Sequence, residues 1–320
     1  MIAMQSMAQP PTPAPPVSLN AGKPIPGLSY QIKVRFLPVG SGDGTIVANV
    51  DKKWCDLALA EINAIFKPAG LRFVLGGLDA VRKDDLYNLD VPPQYPSYAT
   101  GTEMYRQKLA EKFPKELVVF VRRYLGDEKG QEKFYKAFHY SSVSADYVVA
   151  EPESAPRSLA HEFGHFFGLP HTFREDVMGE IVARPYSARV GHVARLLAGA
   201  IERGDVTEGN ALQFLDGDGI DDTPPDAGPP IFQPNDKAGE EIAPGSPAEI
   251  IIPVTVRRPP FNMARKVNYT LRPDKRNLMS YFTQKEMPHL SRQQAQLVYK
   301  IVNTGSRKRL VTGQSSLIVP

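Results

Sequence analysis

Between Ser158 and His171 the chain reads SLAHEFGHFFGLPH. His161 and His165 are four residues apart, which on a helix puts both imidazoles on one face, one turn from each other. Neutral imidazole suits zinc, which takes nitrogen ligands at about 2.0–2.1 Å. Glu162 adjoins the first histidine and has the reach to contact a metal-activated water without ligating. Gly168 is free to adopt positive φ, end the helix and turn the chain. Pro170 stiffens the return, and His171 comes back as a third nitrogen ligand. Three protein ligands leave a fourth position open, the pattern of a catalytic zinc; a structural zinc closes all four. With this chain's composition, His-Glu-x-x-His arises by chance roughly 0.006 times, and with Gly168 and His171 roughly once in a hundred thousand. Two plainer readings stand beside this one: histidines satisfied inside a core helix, and a zinc site that has lost turnover.

A second group of chemistry-bearing residues is LDGDGIDD (215–222). Asp216, Asp218, Asp221 and Asp222, with glycines permitting a tight loop, resemble a calcium-binding turn, although the twelve-residue helix-loop-helix pattern and its terminal glutamate are missing. A solvated acidic loop is the alternative. His139, His192 and His289 are isolated and read as structural or surface residues.

Composition narrows the rest. Of 320 residues, 38 are Lys or Arg and 35 Asp or Glu, a net charge of +3. That is too mild for a general nucleic-acid binder. No apolar stretch approaches the ~18 residues of a membrane span. Cys55 is the single cysteine, which excludes an internal disulfide framework and a thiolate-rich zinc site. Residues 1–27 carry many of the 30 prolines and read as a disordered, polyproline-like tail. They offer neither the basic nor the apolar region of a signal peptide.

The elements that must position the histidines are legible in outline. Residues 30–39 alternate as a strand. Residues 51–66 form a helix, with Asp51 as N-cap and Trp54, Leu57, Ala58, Ile62 and Ile65 as its apolar stripe. Strands are expected at 71–75 and 117–121, with a helix at 103–113 between them, and an edge strand at 147–150. The fold class is therefore α/β, strands with helices layered on them. Beyond the histidines a helix is expected at 189–203, closed by Gly204. Residues 205–280 are loop-rich. EIIIPVTV reads as a strand that Pro253 confines to an edge. A last helix starts at Ser291, capped by a Ser291–Gln294 box. The basic run 307–309 reads as a solvated tail.

HEFGHFFGLPH matches the extended zinc signature of the metzincin metallopeptidases. NLMSYF (277–282) resembles their methionine turn, with Met279 at its centre. HTF (171–173) and DDTPP (221–225) most resemble the pappalysin-type branch. The resemblance spans about residues 28–302. It implies a twisted, mostly parallel sheet with a backing helix and an active-site helix in an upper subdomain, 28–168. A smaller irregular lower subdomain, 169–320, carries the methionine turn and ends in a helix. Zinc would lie at the floor of the cleft, with Met279 packed beneath its ligands. Tyr281 would sit near the metal and donate to a developing oxyanion. Secretion is favoured, and relatives with lower-domain calcium favour calcium here. The chain departs from relatives that carry disulfides in the lower part, and the stretch between His171 and DTPP is long. The expected function is a zinc endopeptidase with Glu162 as general base and a peptide or protein substrate lying along the strand at 147–150. A catalytically silent binding module on the same fold is the alternative, and a zinc enzyme acting on other bonds is a third.

Overall fold

The computed structural model describes residues 28–40, 50–82, 106–121, 146–150, 156–232, 249–258, 263–282, 287–305 and 307–316. The proposed tail 1–27, His139 and residues 103–105 of the expected helix at 103–113 lie outside them; residues 106–110 are helical, and 111–113 form a turn and bend. No helix among the described residues is long and apolar enough to cross a membrane.

A mixed α/β architecture with a mostly parallel sheet is present. The central strand is β1 (Leu28–Gly40). It pairs in parallel with β2 (Leu71–Leu78) on one side and β4 (Glu116–Val121) on the other, and β4 pairs in parallel with β5 (Tyr147–Ala150). A short β3 (Val81–Arg82) joins the end of β1. Ile32, Val34 and Phe36 are fully buried beneath α1 (Lys52–Phe66). Leu37 and Val39 enter a separate cluster on the sheet with Phe120 and Tyr147.

Helix α1 starts where Asp51 accepts the Trp54 N–H at 2.8 Å. Its buried stripe is Cys55, Ala58, Leu59, Ile62, Ile65 and Phe66. Leu57, expected on that stripe, is 61% exposed, and Leu59 takes the inward position. Pro68 and a left-handed Gly70, φ 66°, end the helical run. Asn63 then pairs its amide with both backbone groups of Phe73, fixing α1 against β2.

The histidine-bearing helix α2 (Pro156–Phe166) buries Leu159, Ala160, Phe163 and Phe166 in the cluster formed by α1 and the sheet. Phe73 meets Phe163 edge-on at 5.2 Å. Each fully buried side chain of this size contributes roughly 1.5–3 kcal/mol, so α2 is held by packing.

A second apolar cluster forms beyond the third histidine. Helices α3 (Glu175–Val182) and α4 (Tyr186–Arg203) pack with a two-stranded antiparallel sheet, β6 (Ile250–Arg258) and β7 (Met263–Leu271). Ile252, Val254 and Val256 point inward while Pro253 sits opposite Asn268. Gly204, φ 81°, closes α4 as expected.

The last helix, α5 (Arg292–Thr304), has the expected reciprocal Ser291–Gln294 box. Its apolar face joins the first cluster, beside the sheet. A final strand, β8 (Val311–Ser316), pairs antiparallel with Leu28–Ile32 of β1. The chain after residue 290 thus returns to the sheet built by its first segment. This corrects the reading of 307–309 as a solvated tail. Arg307 is buried, pairs with Asp146 at 2.9 Å, stacks over the Phe166 ring and donates to the Phe166 carbonyl at 3.1 Å. Burial lowers its pKa to about 10 despite the Asp146 charge.

Candidate metal centre

One turn of α2 separates His161 from His165, and Gly168 reverses the chain behind them. Its φ is 83°, its N–H reaches the His165 carbonyl at 2.8 Å, and Leu169 N–H reaches the Gly164 carbonyl. The chain then runs through His171 and a bend at Thr172 to Phe173.

The three Nε2 atoms converge at 3.0–3.2 Å from one another. Among the described residues, His161, His165 and His171 are the group of three or more His, Cys, Asp or Glu side chains whose donor atoms meet. Each Nδ1 faces an oxygen: Leu278 carbonyl for His161 at 2.6 Å, Leu169 carbonyl for His165 at 2.7 Å, and the Glu175 carboxylate for His171 at 2.7 Å. A carbonyl or carboxylate oxygen has no proton to give, so each Nδ1 carries the hydrogen and donates. In neutral imidazoles of that tautomer the three Nε2 atoms are acceptors that point at one spot, an arrangement that a cation offsets. Nitrogens about 2.0–2.1 Å from a tetrahedral zinc lie about 3.3 Å apart, close to the spacing found. The donor set fits zinc.

Met279 lies under α2, fully buried. A Cβ on Gly164 would stand 2.4 Å from the Met279 sulfur, so the glycine between the two ligands is what lets the methionine turn approach. The turn is built by Asn277, whose side chain accepts the Met279 N–H and exchanges hydrogen bonds with the buried Gln294 of α5. Its preceding residue, Leu278, supplies the acceptor for His161.

The segment carrying His171 is clamped from both sides. Phe173 bridges Asp216 antiparallel and Asp226 in parallel. Thr172 receives the Gly217 N–H on its carbonyl, gives its own N–H to the Met279 carbonyl and its hydroxyl to Asp226 at 2.9 Å. A Cβ at Gly217 would come 2.1 Å from the Phe173 carbonyl oxygen. HTF, read in the sequence as resemblance, is thus hydrogen-bonded to residues on either side of DTPP: Asp216 and Gly217 before it and Asp226 after it. Asp226 also accepts from Gly228 N–H, and burial raises its pKa to about 6.

The acidic residues of 215–222 are engaged in the same work. Asp216 accepts from the Asp218 and Gly219 N–H groups. Asp218 accepts from Ile220 N–H, the Thr223 hydroxyl and Gln294, and burial foremost lifts its pKa to about 7. Asp222 accepts from the Ser291 hydroxyl and Gln293 N–H at the start of α5. Asp221 is exposed.

Glu162 is buried beside the first ligand and stands outside the converging donor set. Tyr281 lies against the centre, its ring 5.7 Å from that of His161 and 4.7 Å from those of His171 and Phe173. Burial, then the charges of Glu162 and Glu175, raise its phenol above the ordinary tyrosine range. It therefore stays protonated, as a donor.

Glu175, Asp226, Gly164 and Gly217 were not singled out by motif. The signals present were an i, i+4 carboxylate after His171 and aspartates beside glycines in a loop.

Fold and site together define an α/β chain with a three-histidine centre of the kind that holds zinc. No family model matches the chain, and no curated protein matches it. Among solved structures it is similar to mature mirolysin of Tannerella forsythia in complex with a cleaved peptide. The identity is 14%, covering 89% of this chain and 96% of that one, with a TM-score of 0.49. Mirolysin in complex with compound 9 gives 15% over the same shares, with a TM-score of 0.46. Metalloproteinase-II from Bacteroides fragilis gives 13% over 45% of this chain and 44% of that one, with a TM-score of 0.26. These likenesses concern chain path and carry no residue's role.

Proposed function

We propose that the protein is a zinc-dependent endopeptidase of metzincin type, resembling the pappalysin-type branch in its HTF, DTPP and NLMSYF segments. The observation that carries the proposal is the convergence of three Nε2 atoms beside a buried glutamate that is not among them. Zinc bound there supplies Lewis acidity to the scissile carbonyl and to the attacking water. His161, His165 and His171 hold it, their rings oriented by the three oxygens at Nδ1. Glu162 accepts the proton of the attacking water and passes it to the leaving amine. Tyr281 donates its phenolic hydrogen to the oxyanion as the carbonyl carbon becomes tetrahedral. An extended substrate pairs with β5, which ends the strand order of the sheet. Calcium at Asp216, Asp218, Asp221 and Asp222 is not needed for this chemistry; Asp216, Asp218 and Asp222 accept hydrogen bonds from protein donors.

The test is hydrolysis of a quenched-peptide library by zinc-loaded protein with and without chelator. Glu162→Gln is expected to keep its zinc and lose ~10²–10⁴-fold in rate. Tyr281→Phe is expected to lose less, since it removes one oxyanion donor. A zinc-loaded wild type that cuts nothing would favour a silent binding module, and undiminished activity in Glu162→Gln would refute the mechanism.

A further inference from the structure

The three imidazoles are not supported alike. His161 and His165 each give their Nδ1 hydrogen to a backbone carbonyl, of Leu278 and Leu169. His171 gives its hydrogen to a side chain, the Glu175 carboxylate, at 2.7 Å. His171 is 6% exposed and Glu175 73%. Glu175 is also the first residue of α3, the element that opens the long stretch between the third histidine and DTPP.

The placement of Glu175 is set by how α3 docks. Val177 and Ile181 are buried in the second apolar cluster with Val193, Leu197 and Ile231. Glu180 pairs with His192 of α4 at 3.0 Å. Ahead of the helix, Arg174 stacks over the Phe214 ring and donates to the Phe214 carbonyl. The first turn of a helix is also a favourable place for a carboxylate, facing unpaired N–H groups. Glu175 is thus presented to the metal centre by a packed helix.

We infer that Glu175 is a positioning residue for the metal: by accepting the Nδ1 hydrogen of His171 it fixes that ring's tautomer and orientation and strengthens Nε2 as a donor, so that the docking of α3 is coupled to zinc affinity. The inference rests on the metal centre proposed above. A carboxylate partner holds a ligating imidazole more firmly than a neutral carbonyl does, and losing such a partner typically costs about 10–100-fold in metal affinity.

Zinc affinity of full-length wild type, Glu175→Ala, Glu175→Gln and Asp176→Ala is measured by competition with a chromophoric chelator, alongside the melting temperature of each metal-free protein. Glu175→Ala is expected to bind zinc about 10–100-fold more weakly, with unchanged metal-free melting. Glu175→Gln, which can still accept the hydrogen, is expected to fall between. Asp176→Ala, which removes an exposed neighbour paired with Arg174, is expected to match wild type. A zinc-binding wild type whose affinity Glu175→Ala shares would overturn the inference alone. So would a melting loss in metal-free Glu175→Ala that the affinity does not follow. A wild type that binds no zinc would overturn the metal centre itself, and this inference with it.

Discussion

His161 and His165 ride on α2, a helix fixed by buried Phe163, Phe166 and Leu159 against α1 and the sheet. His171 lies on a segment with no helix of its own, held between Asp216 and Asp226 by backbone bridges and by the Thr172 hydroxyl. Dispersion and hydrophobic burial position the first two ligands. Hydrogen bonds from short polar side chains and close backbone approach position the third. A three-histidine centre can therefore join two kinds of order. One is stiff because it is packed. The other is placed by polar groups whose strength depends on their protonation.

The largest expected effect falls on the packed side. Gly164→Ala forces a methyl group into the fully buried Met279 sulfur, and overpacking of this kind costs about 3 kcal/mol at its upper end. Denaturant unfolding checks the value. A second substitution, Met279→Ala, should relieve part of the loss, so the pair should be strongly non-additive. Additive losses would mean that the two residues do not meet.

The polar side should instead show a pH dependence. Burial raises Asp226 to about 6, above the ~3.9 of an unfolded aspartate. The folded protein holds that proton more tightly. The associated stability is fully present below pH ~4 and is lost as pH rises through about 6, by on the order of 3 kcal/mol. Asp226→Asn should remove that slope from unfolding curves taken between pH 4 and 7. An unchanged slope would detach Asp226 from it.

The smallest effect concerns Asp222. Replacing it with alanine takes two acceptors from the start of α5 and should cost about 1 kcal/mol or less. Thermal melting of Asp222→Ala against wild type reads it. A loss several times larger would show that the turn does more than cap the helix.

The packed half was the more legible in the sequence. Helical spacing pointed directly to His161, His165 and the stripe of α1, because period 3.6 is local information. Leu57 was misplaced because a fifteen-residue helix has room for an apolar residue on its solvent face. Besides the two-residue β3, three elements escaped pattern reading for definite reasons. α3 is eight residues long and interrupted by Gly179. β7 is exposed along most of its length, so no alternation marks it. β8, VTGQSS, has one apolar residue and owes its form to pairing with β1. In the clamp around His171 the residue types were visible as Asp, Gly and Thr. Their partners were not, since Thr172 and Asp226 are 54 positions apart.

The carbonyl that orients His161 is 117 residues downstream, and Arg307, which grips the end of α2, lies 141 residues beyond Phe166. During synthesis the zinc-signature helix leaves the ribosome long before either support exists. At about 5–20 residues per second, the wait lasts seconds to tens of seconds. Throughout it the helix that carries His161 and His165 has been made while the methionine turn has not, so the supports of the three-histidine centre are completed only near the end of translation.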